Sequence, residues 1–157
     1  MNTPHLFLDC DGVLADFDRG VHSITGARPN DQAMSAMWKA LARHDNFFGT
    51  LDLMDDIYGG QALWDAVAHL NPTVLTGIPF GGWAPKQKRE WVGKMFGWDV
   101  PVITCWSKEK HLYGKPGDIL VDDRKKAQGP WESMGGIFVL HTTTKDTLAQ
   151  LKALNVL

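Results

Sequence analysis

The chain has 157 residues, of which 44% are hydrophobic and 22% charged, as expected for one globular domain or a domain with a small insertion. A formal net charge of -2 gives no signature of polyanion binding, so we expect no nucleic-acid polymer as a partner. No apolar run approaches the roughly 20 residues that cross a bilayer, and no basic segment precedes an apolar stretch at the N-terminus. We therefore expect no membrane association and no signal peptide. Two cysteines make no disulfide framework, which favours a cytoplasmic protein with reduced thiols.

The first predicted element is a buried parallel strand at residues 5–9, where an apolar run ends on Asp9. Residues 16–70 then contain no convincing strand. Helical patterns recur there at 16–24, after Pro29 and after Gly59. This stretch is predicted to be a small helical insertion.

Strand patterns resume after the insertion and alternate with helices, which predicts a parallel sheet with helices on both faces. We predict an α/β fold with a doubly wound, Rossmann-like sheet of five strands. Residues 1–15 and 71–157 form the predicted core, and residues 16–70 the predicted helical cap inserted after the first strand. The later strands are expected at 72–76, 100–104, 118–121 and 136–140, and the helices at 84–96, 108–113 and 145–154.

Four aspartates follow predicted strands directly: Asp9 and Asp11 after the first, and Asp122 and Asp123 after the fourth. Parallel strands deliver such groups to the carboxyl edge of the sheet, where open α/β folds bind ligands. Carboxylates gathered there repel one another unless a cation or a proton neutralises them. An oxygen-only cluster favours a hard cation, so Mg²⁺ is the expected cofactor.

The motifs resemble those of the haloacid dehalogenase (HAD) superfamily of phosphohydrolases. Residues 9–16, DCDGVLAD, resemble its opening motif, and Thr76-Gly77 resembles its second. A lysine near position 110 and the Asp122-Asp123 pair resemble the third and fourth. Within the superfamily, the segment 110–124 and the small helical insertion resemble the 5'(3')-deoxyribonucleotidase branch. The resemblance thus implies a HAD-like core with a small cap.

This resemblance implies a role for each motif residue. Asp9 would be the nucleophile that forms an aspartyl-phosphate. Asp11 would be the general acid and then the base, and its presence favours phosphoryl transfer over carbon–halogen cleavage. Thr76 and the Gly77 N–H would hold phosphate oxygens. Lys110 would neutralise the transferring group, with Lys108 and Lys115 as the other candidates.

The remaining implied roles concern the metal and the substrate. Asp9, Asp11, Asp122 and Asp123 would hold Mg²⁺, with Asp122 favoured over Asp123 as the direct ligand. Arg124 would pair with these carboxylates or reach the substrate. Asp16 is expected to cap the next helix.

The cap should exclude water from the site and contact the leaving group. Phe17 is the favoured wall for a flat base, and Trp38, Phe47 and Phe48 are further candidates, with packing as the alternative role of each. The segment 83–89, WAPKQKR, opens a helix with basic residues, which either steer anions or form a solvated face.

Taken together, these expectations describe a Mg²⁺-dependent phosphomonoesterase whose small phosphorylated substrate is a nucleoside monophosphate. One alternative keeps the chemistry but acts on a sugar phosphate or another small metabolite. A second alternative is a regulatory module that binds phosphate or a nucleotide with negligible turnover. A homodimer is compatible with the resemblance.

Overall fold

A computed structural model describes residues 3–157 and contains one five-stranded parallel sheet. The strand order is β3-β2-β1-β4-β5, so β1 lies at the centre. This arrangement confirms the predicted doubly wound α/β fold. The strands are β1 (Leu6–Leu8), β2 (Thr73–Gly77), β3 (Val102–Cys105), β4 (Ile119–Asp122) and β5 (Ile137–Leu140), and the helices are α1 (Phe17–Thr25), α2 (Met34–Arg43), α3 (Gly59–Val67), α4 (Ala84–Phe96), α5 (Gln128–Ser133) and α6 (Thr144–Ala153).

The two faces of the sheet bury different residues because successive side chains of a strand point to opposite sides. Leu6 and Leu8 belong to a large cluster that includes residues of the inserted helices, α4 and α6. Phe7 belongs to a smaller cluster around Trp131 of α5. A strand buried on both sides reads as a continuous apolar run, which is why the sequence revealed it.

The insertion joins the sheet through buried apolar residues and backbone hydrogen bonds. Met37 and Leu41 of α2 lie in the same buried cluster as Leu8. The N–H of Met54 donates to Leu14 O at 2.8 Å, which ties the insertion to the loop that follows β1. The division into core and cap stays a prediction.

One helix has no counterpart among the predicted elements. α5 follows a 3-10 turn at Lys125–Ala127, between β4 and β5. Its sequence, QGPWES, contains Gly129 and Pro130, which are typical of turns. Proline is nevertheless tolerated in the first turn of a helix, and Trp131 anchors α5 under the sheet.

The helices are short relative to a bilayer. The longest, α4, has 13 residues. Across residues 3–157, no helix combines the length and the apolarity that a membrane span requires.

Trp91 of α4 provides a test of how the helix is fixed to the insertion. Its indole Nε1 donates to Leu51 O at 2.8 Å in a buried site. We expect Trp91→Phe to lower the free energy of unfolding by about 1–3 kcal/mol, because the carbonyl loses its partner. Trp98→Phe is the matched control, since Trp98 is 70% exposed. Equal urea midpoints for the two variants would contradict this account.

Candidate active site

Asp9 and Asp122 lie side by side because their strands are neighbours in the sheet. β1 pairs with β4 in a register that places Leu8 beside Val121, the residues before each aspartate. Both side chains are buried. Asp123 follows at the exposed rim, and one carboxylate oxygen from each of the three residues lies within 4.8 Å of the others.

Gly12 allows the loop after β1 to pass close to Asp123. Its φ of +80° lies in the left-handed region that glycine adopts without strain. A Cβ at this position would collide with the Asp123 carboxylate. The glycine of the opening motif therefore serves both the turn and the close approach of an acidic side chain.

Lys110 forms ion pairs with two of the clustered aspartates. Its Nζ lies 3.0 Å from Asp9 Oδ1 and 2.8 Å from Asp122 Oδ2, and the lysine side chain is buried. The 3-10 helix Ser107–Leu112 positions it beneath the strand ends. Asp9 Oδ1 also accepts from Cys10 N, and Asp122 Oδ1 from Arg124 N. The buried carboxylates thus have both a counter-charge and backbone donors.

The acidic groups respond differently to this environment. Burial disfavours the charged form of Asp9, but Lys110 and Lys88 outweigh it, so the pKa of Asp9 lies below its usual value. Burial and the charge of Asp9 raise the pKa of Asp122 to about 6. Partial burial of the carboxyl group and the charges of Asp9 and Asp122 raise the pKa of Asp123 to about 8. A divalent cation would relieve this repulsion, and the oxygen-only donor set suits Mg²⁺.

A second buried lysine, Lys88 of α4, contacts Asp11, the second aspartate of the opening motif. Its Nζ lies 2.7 Å from Asp11 Oδ2 and 2.8 Å from both Thr76 Oγ1 and Gly77 O. It also lies 4.4 Å from the centre of the Phe48 ring. Lys88 therefore connects the loop after β1, the end of β2 and the insertion.

Asp11 keeps one oxygen free of hydrogen bonds. Lys88 occupies Oδ2, whereas the buried Oδ1 has no hydrogen-bond partner among residues 3–157. Burial raises the pKa of Asp11 against the pull of Lys88, and the charge of Asp9 adds to the increase. A carboxyl group with a raised pKa and a free oxygen can both donate and accept a proton.

The sequence-predicted residues reach this edge of the sheet to different degrees. Asp9, Asp11, Thr76, Gly77, Lys110, Asp122 and Asp123 surround the strand ends as described. Arg124 is exposed, and its side chain lines an adjacent cavity. Lys108 and Lys115 are also exposed, and neither forms an ion pair with any described residue. Asp16 caps α1 as predicted, since Oδ1 accepts from Arg19 N at 3.1 Å.

Phe17 lies in an aromatic cluster of the insertion. Its ring centre is 5.7 Å from that of Trp38, 5.8 Å from Phe47 and 6.2 Å from Phe48. Phe47 and Phe48 are only 1% and 2% exposed, so these two rings offer almost no surface to a ligand. A base-binding role for the half-buried Phe17 stays a prediction.

Lys88 is the residue that sequence reasoning missed. The sequence predicts that the basic segment 83–89 steers anions or forms a solvated surface, and Lys86 and Arg89 are exposed. Lys88 is 1% exposed because it falls on the same helical stripe as Ala84, Trp91 and Val92. That spacing was the available signal, but it predicts only that Lys88 is buried. Its role can be inferred only from its contacts with Asp11 and Thr76.

Comparisons with known proteins support the fold. No protein-family model matches the chain, and no curated protein matches it. The crystal structure of a hydrolase from Streptococcus pneumoniae TIGR4 is similar to it, with a TM-score of 0.52. The two share 10% sequence identity over 99% of this chain and 100% of that one. At such low identity the similarity supports the α/β architecture alone.

The Lys110 ion pairs can be tested by removing the charge. Lys110→Met should lower the free energy of unfolding by about 3–5 kcal/mol without added metal, because Asp9 and Asp122 stay buried together. The loss should be larger near about pH 8 than near about pH 5. Without Lys110, burial should raise the pKa of the two carboxyls in the folded variant. The folded state of the variant is then favoured while they are protonated and loses stability as the pH rises. The exposed Lys108→Met is the control in urea titrations. Equal losses for the two variants would refute the pairing.

Proposed function

We propose that the protein is a HAD-type, Mg²⁺-dependent phosphomonoesterase that acts through an aspartyl-phosphate. The observation that carries this proposal is that two neighbouring carboxyls, Asp9 and Asp11, differ in their contacts and in their pKa values. Asp9 pairs with Lys110, and the pKa of Asp9 is lowered. Asp11 has one oxygen without a hydrogen-bond partner among the described residues, and its pKa is raised. The former suits a nucleophile and the latter a proton donor. The hydrolase with a similar fold is consistent with this class of reaction.

The proposed reaction has two steps. An Asp9 carboxylate oxygen attacks phosphorus, the bond to the ester oxygen breaks, and Asp11 gives its proton to the departing alcohol. Water then attacks the phosphorus of the aspartyl-phosphate, Asp11 takes its proton, and the acyl-phosphate P–O bond breaks to release phosphate. Lys110 and the Thr76 hydroxyl would bind phosphate oxygens in both steps.

Asp9, Asp122 and Asp123 would hold the Mg²⁺, which would neutralise charge on the phosphoryl group. The raised pKa values of the last two residues support this assignment, because they indicate a site that lacks sufficient positive charge. Lys110 supplies only one charge to Asp9 and Asp122. Asp122 accepts from both Lys110 and Arg124 N, and these hydrogen bonds fix the orientation that the proposed ligand role requires.

A nucleoside monophosphate is the proposed substrate, by resemblance to the deoxyribonucleotidase branch. A panel of nucleoside monophosphates and sugar phosphates, with Mg²⁺ and with chelator, tests the reaction and the substrate together. Mg²⁺-dependent phosphate release from nucleotides would support both. Release only from sugar phosphates would retain the mechanism and change the substrate. Nucleotide binding without turnover of any ester would replace the enzyme with a binding module.

The nucleophile assignment predicts the behaviour of Asp9→Asn. This variant should lose turnover by at least about 10⁴-fold, because the amide cannot form the acyl-phosphate. Circular dichroism and urea unfolding should show a retained fold. Asp18→Asn, at an exposed position in α1, is the control. Wild-type activity in Asp9→Asn would exclude Asp9 as the nucleophile.

Lys88 is predicted to position Asp11 and Thr76 rather than to react. Lys88→Met should lower kcat by roughly 10²-fold or more, since a misplaced general acid forfeits most of its contribution. The alkaline limb of the kcat/KM profile should also move to higher pH, because a general acid must be protonated and Lys88 opposes the raised pKa of Asp11. Lys86→Met, on the exposed side of the same helix, is the matched control. An unchanged pH profile in Lys88→Met would rule out this positioning role.

A further inference from the structure

A cavity of about 540 Å³ opens directly beside the acidic cluster. Small-molecule sites typically have volumes of roughly 300–1,000 Å³. Lys110 and Asp122 form part of its wall, so it is continuous with the site described above. The rest of the wall comes from the segments that follow β2, β3 and β4, and neither Phe17 nor its aromatic neighbours line this cavity.

The charge of the cavity is opposite to that of the whole protein. Its lining includes four cationic and two acidic side chains, although the chain as a whole has a net charge of -2. Lys110 and Asp122 pair with each other. The other cations are Lys108, Arg124 and Lys126, and none of them has an ion-pair partner within 4.0 Å among residues 3–157. The second acidic residue is Glu109, so four cations against two acids leave an excess of positive charge that favours an anion.

Two exposed aromatic rings form another part of the wall. Phe80 is 83% exposed and Trp106 is 39% exposed, and their ring centres lie 5.0 Å apart. Two large aromatic rings that only pack are usually buried, because burial removes their apolar surface from water. Rings that stay exposed together at a cavity indicate a binding surface. Exposed aromatic faces can stack on a planar ligand ring such as a nucleobase. Such stacking does not depend on the hydrogen-bond pattern of the base.

We propose that this cavity holds the leaving group of the substrate, and that this group is a nucleoside carrying a second phosphate. The inference rests on the proposed function. The base stacks on Phe80 and Trp106 instead of on Phe17, and Arg124 and Lys126 bind the second phosphate. In the proposed reaction, Lys110 and the metal ion neutralise the charge of the phosphate that is cleaved. The further cations therefore exceed the needs of a nucleoside monophosphate. Hydrolysis converts the bisphosphate to a nucleoside monophosphate and phosphate by the two steps given above.

The experiment compares thymidine 3',5'-bisphosphate, thymidine monophosphate and glycerol phosphate as substrates in Mg²⁺. We expect kcat/KM to rise along the series from glycerol phosphate to the bisphosphate. Lys126→Ala should reduce the bisphosphate-to-monophosphate ratio about fivefold or more. Trp106→Ala should reduce the ratio of either nucleotide to glycerol phosphate by roughly tenfold. Lys125→Ala, in the same exposed turn but outside the cavity wall, and Trp98→Ala should leave these ratios unchanged.

Two outcomes would overturn the proposal: equal kcat/KM for the two nucleotides, or ratios that Lys126→Ala and Trp106→Ala do not change. Absence of turnover for every ester would instead refute the proposed function, and binding would then decide the inference. In calorimetry, Asp9→Asn should bind the bisphosphate more tightly than the monophosphate, and adding Lys126→Ala should remove the difference. Equal affinities would refute the cavity assignment whether or not the protein is an enzyme.

Discussion

The constraint on which the rest of the site depends is the burial of several carboxylates at one edge of a parallel sheet. Two ionised carboxylates in a desolvated site destabilise the fold unless positive charge is brought to them. Lys110 supplies it to Asp9 and Asp122, and Lys88 supplies it to Asp11. Both lysines lie outside the strands, so the connections after β2 and β3 must pack in one arrangement to deliver them. The same contacts therefore stabilise the fold and define the geometry of the site.

Much of this architecture was accessible from the sequence because it is encoded locally. Each strand is a short apolar run, and the helices of the insertion show a periodicity of three and four residues. Asp9 and Asp122 could be placed together because residues that follow parallel strands meet at one edge. Lys110 could be chosen over Lys108 and Lys115 only by resemblance. The ion pairs with two aspartates now give that choice a physical basis, although its catalytic role stays a prediction.

What the sequence could not supply depends on contacts between distant segments. Lys88 is separated from Asp11 by 77 positions, and nothing in the segment 83–89 distinguishes it from its exposed neighbours except its place on a helical stripe. α5 was hidden by a glycine and a proline that are typical of turns. The basic cavity is harder still, because it combines Phe80, Trp106 and Lys126 from three different loops. Such a surface exists only once the sheet order has brought those loops together.

The two lysines also explain how neighbouring carboxyls on one loop can differ in acidity. Lys110 binds Asp9 directly, and Lys88 adds to its effect, so the pKa of Asp9 falls despite burial. Lys88 contacts a single oxygen of Asp11, which leaves Oδ1 unpaired, and burial prevails there. Two neighbouring carboxyls whose pKa values are moved apart can serve different chemical roles at one pH. Lys88 also bonds Thr76 and contacts the Phe48 ring, so the residue that pairs with Asp11 joins the end of β2 to the insertion.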